Sequence, residues 1–116
     1  MLPSGNDAAT CLAEWGGKYL TSDDDSKQRQ KYFINEMNKI SKELGLTSTR
    51  FGNPHGLPHP DGRSSAIEVA RLCSLLIGDE LFIKITKTQN YFCSVVNYKG
   101  LKREVHWQNT NKLLRR

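Results

Sequence analysis

Residues 1–15 read MLPSGNDAATCLAEW. Ser4, Gly5, Asn6 and Asp7 are turn and cap types, and Ala8, Ala9, Leu12 and Trp15 follow at helical spacing. The stretch predicts a turn feeding an amphipathic helix over about 6–16, ended by the successive glycines Gly16 and Gly17. The triplet Ser4-Gly5-Asn6 admits two readings. It is an ordinary helix cap, or it is one third of an active site whose other parts lie elsewhere.

Downstream, Ser22 with Asp23, Asp24 and Asp25 reads as a cap and an acidic first turn, opening a second helix over about 23–44. The acidic run lacks the alternating ligands and central glycine of a calcium loop. Phe33, Met37, Ile40 and Leu44 form one apolar stripe that should be buried, and Gly45-Leu46 predicts a Schellman ending with Leu46 folded back. Residues 47–64 hold too many prolines and glycines for regular structure and predict a long, self-packed loop.

Ser65-Ala66-Ile67-Glu68 has the S-x-x-E pattern of a capping box and predicts a third helix over 65–77. Its buried face should be Ala66, Val69, Ala70, Cys73, Leu76 and Ile77, with Gly78 as its stop. A short helix over 79–88 follows, with Leu81, Phe82 and Ile85 on its apolar side. Two strands around Lys99-Gly100 then predict a hairpin over 91–108. The fold class is mainly α with a C-terminal β-hairpin.

With 116 residues, the chain has one domain's worth of sequence. No apolar run approaches a membrane span, and no signal peptide is evident. The net charge of +5 is uneven. From Lys84 to Arg116 there are eight Lys or Arg and one acid, Glu104. Such a bias can attract nucleic acid, an anionic lipid or an acidic partner, or it is a solvated basic surface, and no motif that reads specific nucleic acid accompanies it. Cys11, Cys73 and Cys93 are far apart, with no CxxC, so no zinc knuckle or redox pair is suggested. Cys11 and Cys73 read as small core residues.

His55, His59 and Asp61 form a conceivable ligand set, but Pro58 and Pro60 forbid the helix that would align both rings. They read instead as loop histidines bonded to backbone. No metal and no cofactor is expected. No G-x-S-x-G elbow singles out a serine nucleophile.

What remains is a series of landmarks: PSGNDAA and LAEW, then Phe33, Met37-Asn38 and Leu44-Gly45, then Thr49, Phe51 and Asn53 to Leu57 (NPHGL), then Ser64 to Ala66, then Asn109 with Asn111 to Leu114. In this order they resemble the D-alanyl-D-alanine carboxypeptidases, the low-molecular-mass penicillin-binding serine peptidases. The resemblance covers nearly the whole chain. It implies the helical subdomain of the β-lactamase/transpeptidase-like fold, as a single partial domain over 1–116.

That family uses S-x-x-K, S-x-N and K-T-G. A serine hydroxyl is a poor nucleophile at neutral pH and needs a base, here a neutral lysine. By resemblance, Ser4 is the relay serine of S-x-N and Asn6 positions the lysine and the substrate amide. The K-T-G strand would bind the substrate carboxylate and line the oxyanion hole. The departures are plain. The 116 residues contain no S-x-x-K and no K-T-G, the nearest approach being Lys87-Thr88-Gln89.

Two expectations follow. In the first, the chain is part of a serine carboxypeptidase that removes terminal D-alanine from peptidoglycan stem peptides, and by itself it is inactive. The peptide, or a β-lactam, would be bound only by an intact enzyme, and a bacterial parent would be extracytoplasmic, in the periplasm or cell envelope. In the second, it is a non-catalytic structural or partner-binding subunit derived from that family. In both, an uncovered apolar face should promote self-association or partner binding.

Overall fold

The computed structural model describes residues 2–115, which divide into two compact units. One unit comprises Gly5–Leu75. The other comprises residues 2–4 together with 76–115. Six main elements run in chain order: α1 (Asn6–Gly17), α2 (Ser26–Glu43), α3 (Ala66–Leu76), α4 (Glu80–Lys87), β1 (Asn90–Val96) and β2 (Lys102–Gln108), followed by a 3-10 turn (Lys112–Arg115). The architecture is therefore mainly helical with a C-terminal hairpin. No helix among the described residues is long and apolar enough to cross a membrane.

In the unit of Gly5–Leu75, α1 and α2 pack against each other. Helix α1 ends at Gly17, as the glycine pair predicts, and the closeness of α2 gives both glycines a second role. A Cβ on Gly16 would lie 2.7 Å from the Phe33 ring, and one on Gly17 only 2.3 Å from the Arg29 carbonyl oxygen. The helix runs through Gly17, and Lys18 still has helical backbone. The pair leaves room for this contact, and the chain leaves α1 through further turns, with Leu20 N and Thr21 N donating to the Gly17 carbonyl.

Helix α2 starts at Ser26, later than the acidic run alone suggests. Asp25 is its N-cap, accepting from Gln28 N at 2.9 Å, while Asp23 accepts from Asp25 N and so shapes the preceding turn. At its other end Gly45 takes φ +70°, where a side chain would be strained. Gly45 N donates to Lys42 O and Leu46 N to Ser41 O, the two bonds of a Schellman motif, and Leu46 is buried.

The expected buried stripes are only partly covered. Phe33 and Met37 are half-buried, whereas Ile40 and Leu44 are exposed. On α3, Ala66, Val69, Ala70, Cys73 and Leu76 are exposed, as is Ile77 just beyond it. Cys11 and Cys73 are both exposed, which corrects their reading as core residues. The physical reason is a shortage of cover: Ala13 and Leu46 are the fully buried hydrophobic side chains among the described residues.

In the other unit, Asp79 caps α4 by accepting from Phe82 N at 2.7 Å. β1 and β2 pair antiparallel, Asn90 opposite Gln108 through Val96 opposite Lys102. Tyr91 stacks on Trp107 on one face, and Phe92 stacks on His106 on the other. Such cross-strand aromatic pairs give a two-stranded sheet much of its cohesion.

Candidate functional site

The Ser4-Gly5-Asn6 triplet lies where one compact unit passes into the other along the chain. Ser4 has φ +51°, an uncommon value for a residue with a side chain. Gly5, with φ −65° and ψ 89°, is the N-cap of α1 and supplies no side chain for capping. Asn6 is already the first helical residue, and its carbonyl accepts from Thr10 Oγ1 at 3.0 Å. Thus neither Ser4 nor Asn6 is the side-chain cap that composition suggests. Asp7, by contrast, accepts from Ala8 N at 2.8 Å.

Ser4 lines a groove of about 250 Å³ with Leu2, Ile85, Thr86, Asn109, Thr110 and Asn111, all in one unit. The Asn109-Thr110-Asn111 wall is itself braced. Asn109 N donates to Gln89 O at 2.7 Å, and Asn109 Nδ2 to Thr88 O at 3.0 Å. Asn109 Oδ1 accepts from Asn111 N, and Asn111 Oδ1 accepts from Leu113 N, two Asx turns that carry the chain from β2 into the 3-10 turn. Gln89 Nε2 donates to Leu114 O and closes the corner. The sequence marks Asn109 and Asn111 as landmarks. Ile85 and Thr86 are missed because they carry no chemical signature, although their helical spacing from Phe82 places them on α4.

Lys87-Thr88 ends α4. Thr88 is its C-cap and its hydroxyl donates to Lys84 O at 2.7 Å. This dipeptide is thus a helix terminus, unlike the strand that a K-T-G motif requires.

The loop over 47–64 is built by side chains grasping backbone. Asn38, on α2, accepts from Phe51 N and donates to Phe51 O, both at 2.8 Å. Asn53 Oδ1 accepts from Gly56 N at 2.7 Å, and its Nδ2 donates to Leu57 O at 2.8 Å, closing NPHGL on itself around Gly56 at φ +81°. His55 Nδ1 accepts from Leu57 N, and His59 Nδ1 from Asp61 N. Both histidines therefore spend a ring nitrogen on backbone, as loop histidines. A Cβ on Gly52 would lie 2.2 Å from the His59 ring, so this glycine makes room for the imidazole. Arg50 and Arg63 exchange both backbone bonds, at 2.8 and 2.9 Å, and pinch the base of the loop.

Glu68 anchors that base to α3. Its carboxylate accepts from Thr49 Oγ1 and, at 2.9 Å, from Ser48 N. The capping box is consequently half formed. Ser65 Oγ accepts from Glu68 N, but the Glu68 carboxylate is drawn to the loop and away from the Ser65 amide. The Thr49 hydroxyl bond and then the Ser48 amide hold the Glu68 pKa below an ordinary glutamate's 4.5, against the opposing effect of desolvation. Protonation therefore costs the folded chain more than the unfolded one. Glu68's contribution is whole above the unfolded value and is lost as pH falls through the lowered folded value. Thermal melts should show Glu68→Gln less stable than the parent near neutrality, with the gap closing in acid. A gap independent of pH would refute this role for the carboxylate.

The landmarks have counterparts among known proteins. The family profile described as D-alanyl-D-alanine carboxypeptidase matches residues 1–116. A D-alanyl-D-alanine carboxypeptidase of Streptomyces sp. is 34% identical over 115 residues, covering 98% of this chain and 38% of the relative. The D-alanyl-D-alanine carboxypeptidase DacF of Bacillus subtilis is 31% identical over 114 residues, covering 98% of this chain and 26% of the relative. The chain thus spans well under half the length of either. The crystal structure of a Streptomyces DD-transpeptidase superposes with a TM-score of 0.83 at 34% identity, over 98% of this chain and 42% of that one. The helices and hairpin thus follow the DD-transpeptidase fold, and the chain belongs to the D-alanyl-D-alanine carboxypeptidase family.

Proposed function

We propose that these residues supply the second catalytic motif of a serine-type D-alanyl-D-alanine carboxypeptidase acting on peptidoglycan stem peptides, with Ser4 relaying protons and Asn6 positioning the lysine and the substrate amide. The observation that carries this reading is the backbone of Ser4, held at φ +51° on the wall of a groove beside Asn109-Thr110-Asn111. Strain of this kind costs on the order of 1–3 kcal/mol and collects at functional sites, where it aims a side chain. Gly5 lets the strained turn enter α1 without a second side chain to accommodate.

The chemistry requires more than this motif. Acyl transfer needs a serine oxygen to attack the scissile carbonyl, a base to take its proton, and donors to hold the oxyanion. The 116 residues contain no S-x-x-K to supply the first two and no K-T-G to supply the strand. The isolated chain is therefore inactive. Incubation of the purified chain with a fluorescent penicillin is expected to leave no covalent label after denaturing electrophoresis, and a stoichiometric label would overturn the reading. Exposed Leu12, Trp15 and Tyr19 on and just after α1, and Ile67 and Leu75 on α3, favour self-association. The same preparation should elute ahead of a 13.2 kDa monomer in size-exclusion chromatography.

The rival reading, a non-catalytic subunit derived from the family, draws on the same exposed apolar residues. It predicts a stable stoichiometric complex with another protein and no role for Ser4 in any acylation.

A further inference from the structure

We propose that the tip of the β1–β2 hairpin docks on an anionic lipid surface, an inference independent of the catalytic assignment. Between the strands, residues 97–101 form a tight loop organised by one side chain. Asn97 Oδ1 accepts from Lys99 N at 2.9 Å and from Leu101 N at 3.0 Å. Asn97 N donates to Leu101 O, Gly100 N donates to Asn97 O, and Gly100 takes φ +77°. The loop backbone is thus fixed by its own bonds, and docking carries no further backbone ordering cost.

Those side chains are of two kinds. Tyr98 is 92% exposed, Leu101 65% and Val96 57%. The tyrosine ring and two aliphatics leave apolar surface in water, and an amphipathic aromatic ring suits the boundary between headgroups and acyl chains. Around them stand Lys99, Lys102 and Arg103, while Glu104 is the sole acid between residues 90 and 108. Lys99 Nζ lies 5.5 Å from the Tyr98 ring centroid, so this charge travels with the ring. Lys102 sits opposite Val96 and Arg103 opposite Val95 in the strand register, placing cations directly behind the apolar tip. Charge complementarity selects an anionic surface. The apolar tip selects lipid over a soluble polyanion, because a nucleic acid or acidic polymer would engage the cations and leave Leu101 and Val96 in water.

The test is flotation of the 116-residue chain with vesicles of phosphatidylglycerol in phosphatidylcholine, compared with phosphatidylcholine alone. The chain should float with the anionic vesicles and far less with the neutral ones. Lys102→Gln should weaken partitioning about fivefold, the effect of one basic residue near an anionic surface. The double substitution Tyr98→Ser with Leu101→Ser should weaken it roughly tenfold or more, through lost apolar burial. In a second variant, Tyr98→Trp, the added emission should shift to the blue when anionic vesicles are mixed in. Absence of flotation with anionic vesicles, flotation unchanged by the double substitution, or an unshifted emission would each overturn the proposal. The second of these outcomes would reassign the basic tip to a soluble polyanion or an acidic protein.

Discussion

Alanine at Gly17 is expected to lower the stability of the Gly5–Leu75 unit, against the usual sign for this exchange in a helix. In an exposed helix interior, Gly→Ala gains about 1 kcal/mol by reducing the freedom of the unfolded chain. At Gly17 the new methyl would meet the Arg29 carbonyl oxygen at 2.3 Å, its carbonyl carbon at 2.6 Å and its Cα at 2.8 Å. All three are backbone atoms of α2, so no rotamer change relieves them. Forcing the helices apart costs about 3 kcal/mol, the upper end of ordinary overpacking, which outweighs the gain and leaves a net loss of about 2 kcal/mol. Gly78 is the control. A Cβ there meets nothing within 4 Å, and Gly78→Ala should be neutral or slightly stabilising. Urea melts of both variants decide the matter. A Gly17→Ala chain as stable as the Gly78→Ala chain would disprove the close approach of α1 and α2.

The second large effect is expected at Asn38. Its side chain occupies both the amide and the carbonyl of Phe51, thirteen residues away, and also donates to Ile34 O on its own helix. Asn38→Ala leaves the Phe51 backbone groups unpaired in a half-buried setting, a loss of about 2 kcal/mol at roughly 1 kcal/mol for each bond. Asn38→Asp should do no better, since it keeps the acceptor for Phe51 N but sets a carboxylate against the Phe51 carbonyl. Hydrogen exchange is the sharper readout. The Phe51 amide should lose protection in Asn38→Ala, which removes its acceptor, while the Leu46 amide, bonded to Ser41 O, keeps it. Retained protection at Phe51 would mean that the loop holds its shape without Asn38.

These two sites also show how far the sequence could be read. Elements set by local chemistry were legible in it. Leu81, Phe82 and Ile85 announce α4, Gly45-Leu46 announces the end of α2, and the two runs around Lys99-Gly100 announce the hairpin. Each depends on bonds within a few residues. Features set by distant groups were not legible. Gly16-Gly17 reads correctly as the end of α1, yet the close contact with α2 that also requires both glycines is invisible in it. Glu68 has the spacing of a capping box, yet Ser48 and Thr49 claim its carboxylate. Cys11 and Cys73 fall on helical faces, yet burial depends on what covers those faces. At the candidate site, the resemblance of Ser4-Gly5-Asn6 to S-x-N can be read from the sequence, whereas the left-handed backbone of Ser4 and its companions Ile85 and Thr86 emerge only in three dimensions.

The landmark residues acquire physical meaning in the same way. Asn38 with Phe51, and Asn53 with Gly56 and Leu57, form two hydrogen-bonded clusters that shape the long loop, and Thr49 with Ser64 and Glu68 ties its base to α3. Ser64 and Thr49 share a bond of 2.8 Å between their hydroxyls. These positions bear on the architecture that carries the motif, and their substitution should act on stability before chemistry.

The most direct test of the catalytic assignment is a graft. Residues 1–116 would replace the matching segment of the Streptomyces relative, and the folded chimera would be labelled with a fluorescent penicillin. If Ser4 is the relay serine, the chimera acylates, and Ser4→Ala slows acylation by roughly 10²–10⁴-fold, the usual worth of a positioned proton-transfer group, without lowering the melting temperature. Acylation of the Ser4→Ala chimera at the parent rate would contradict the account.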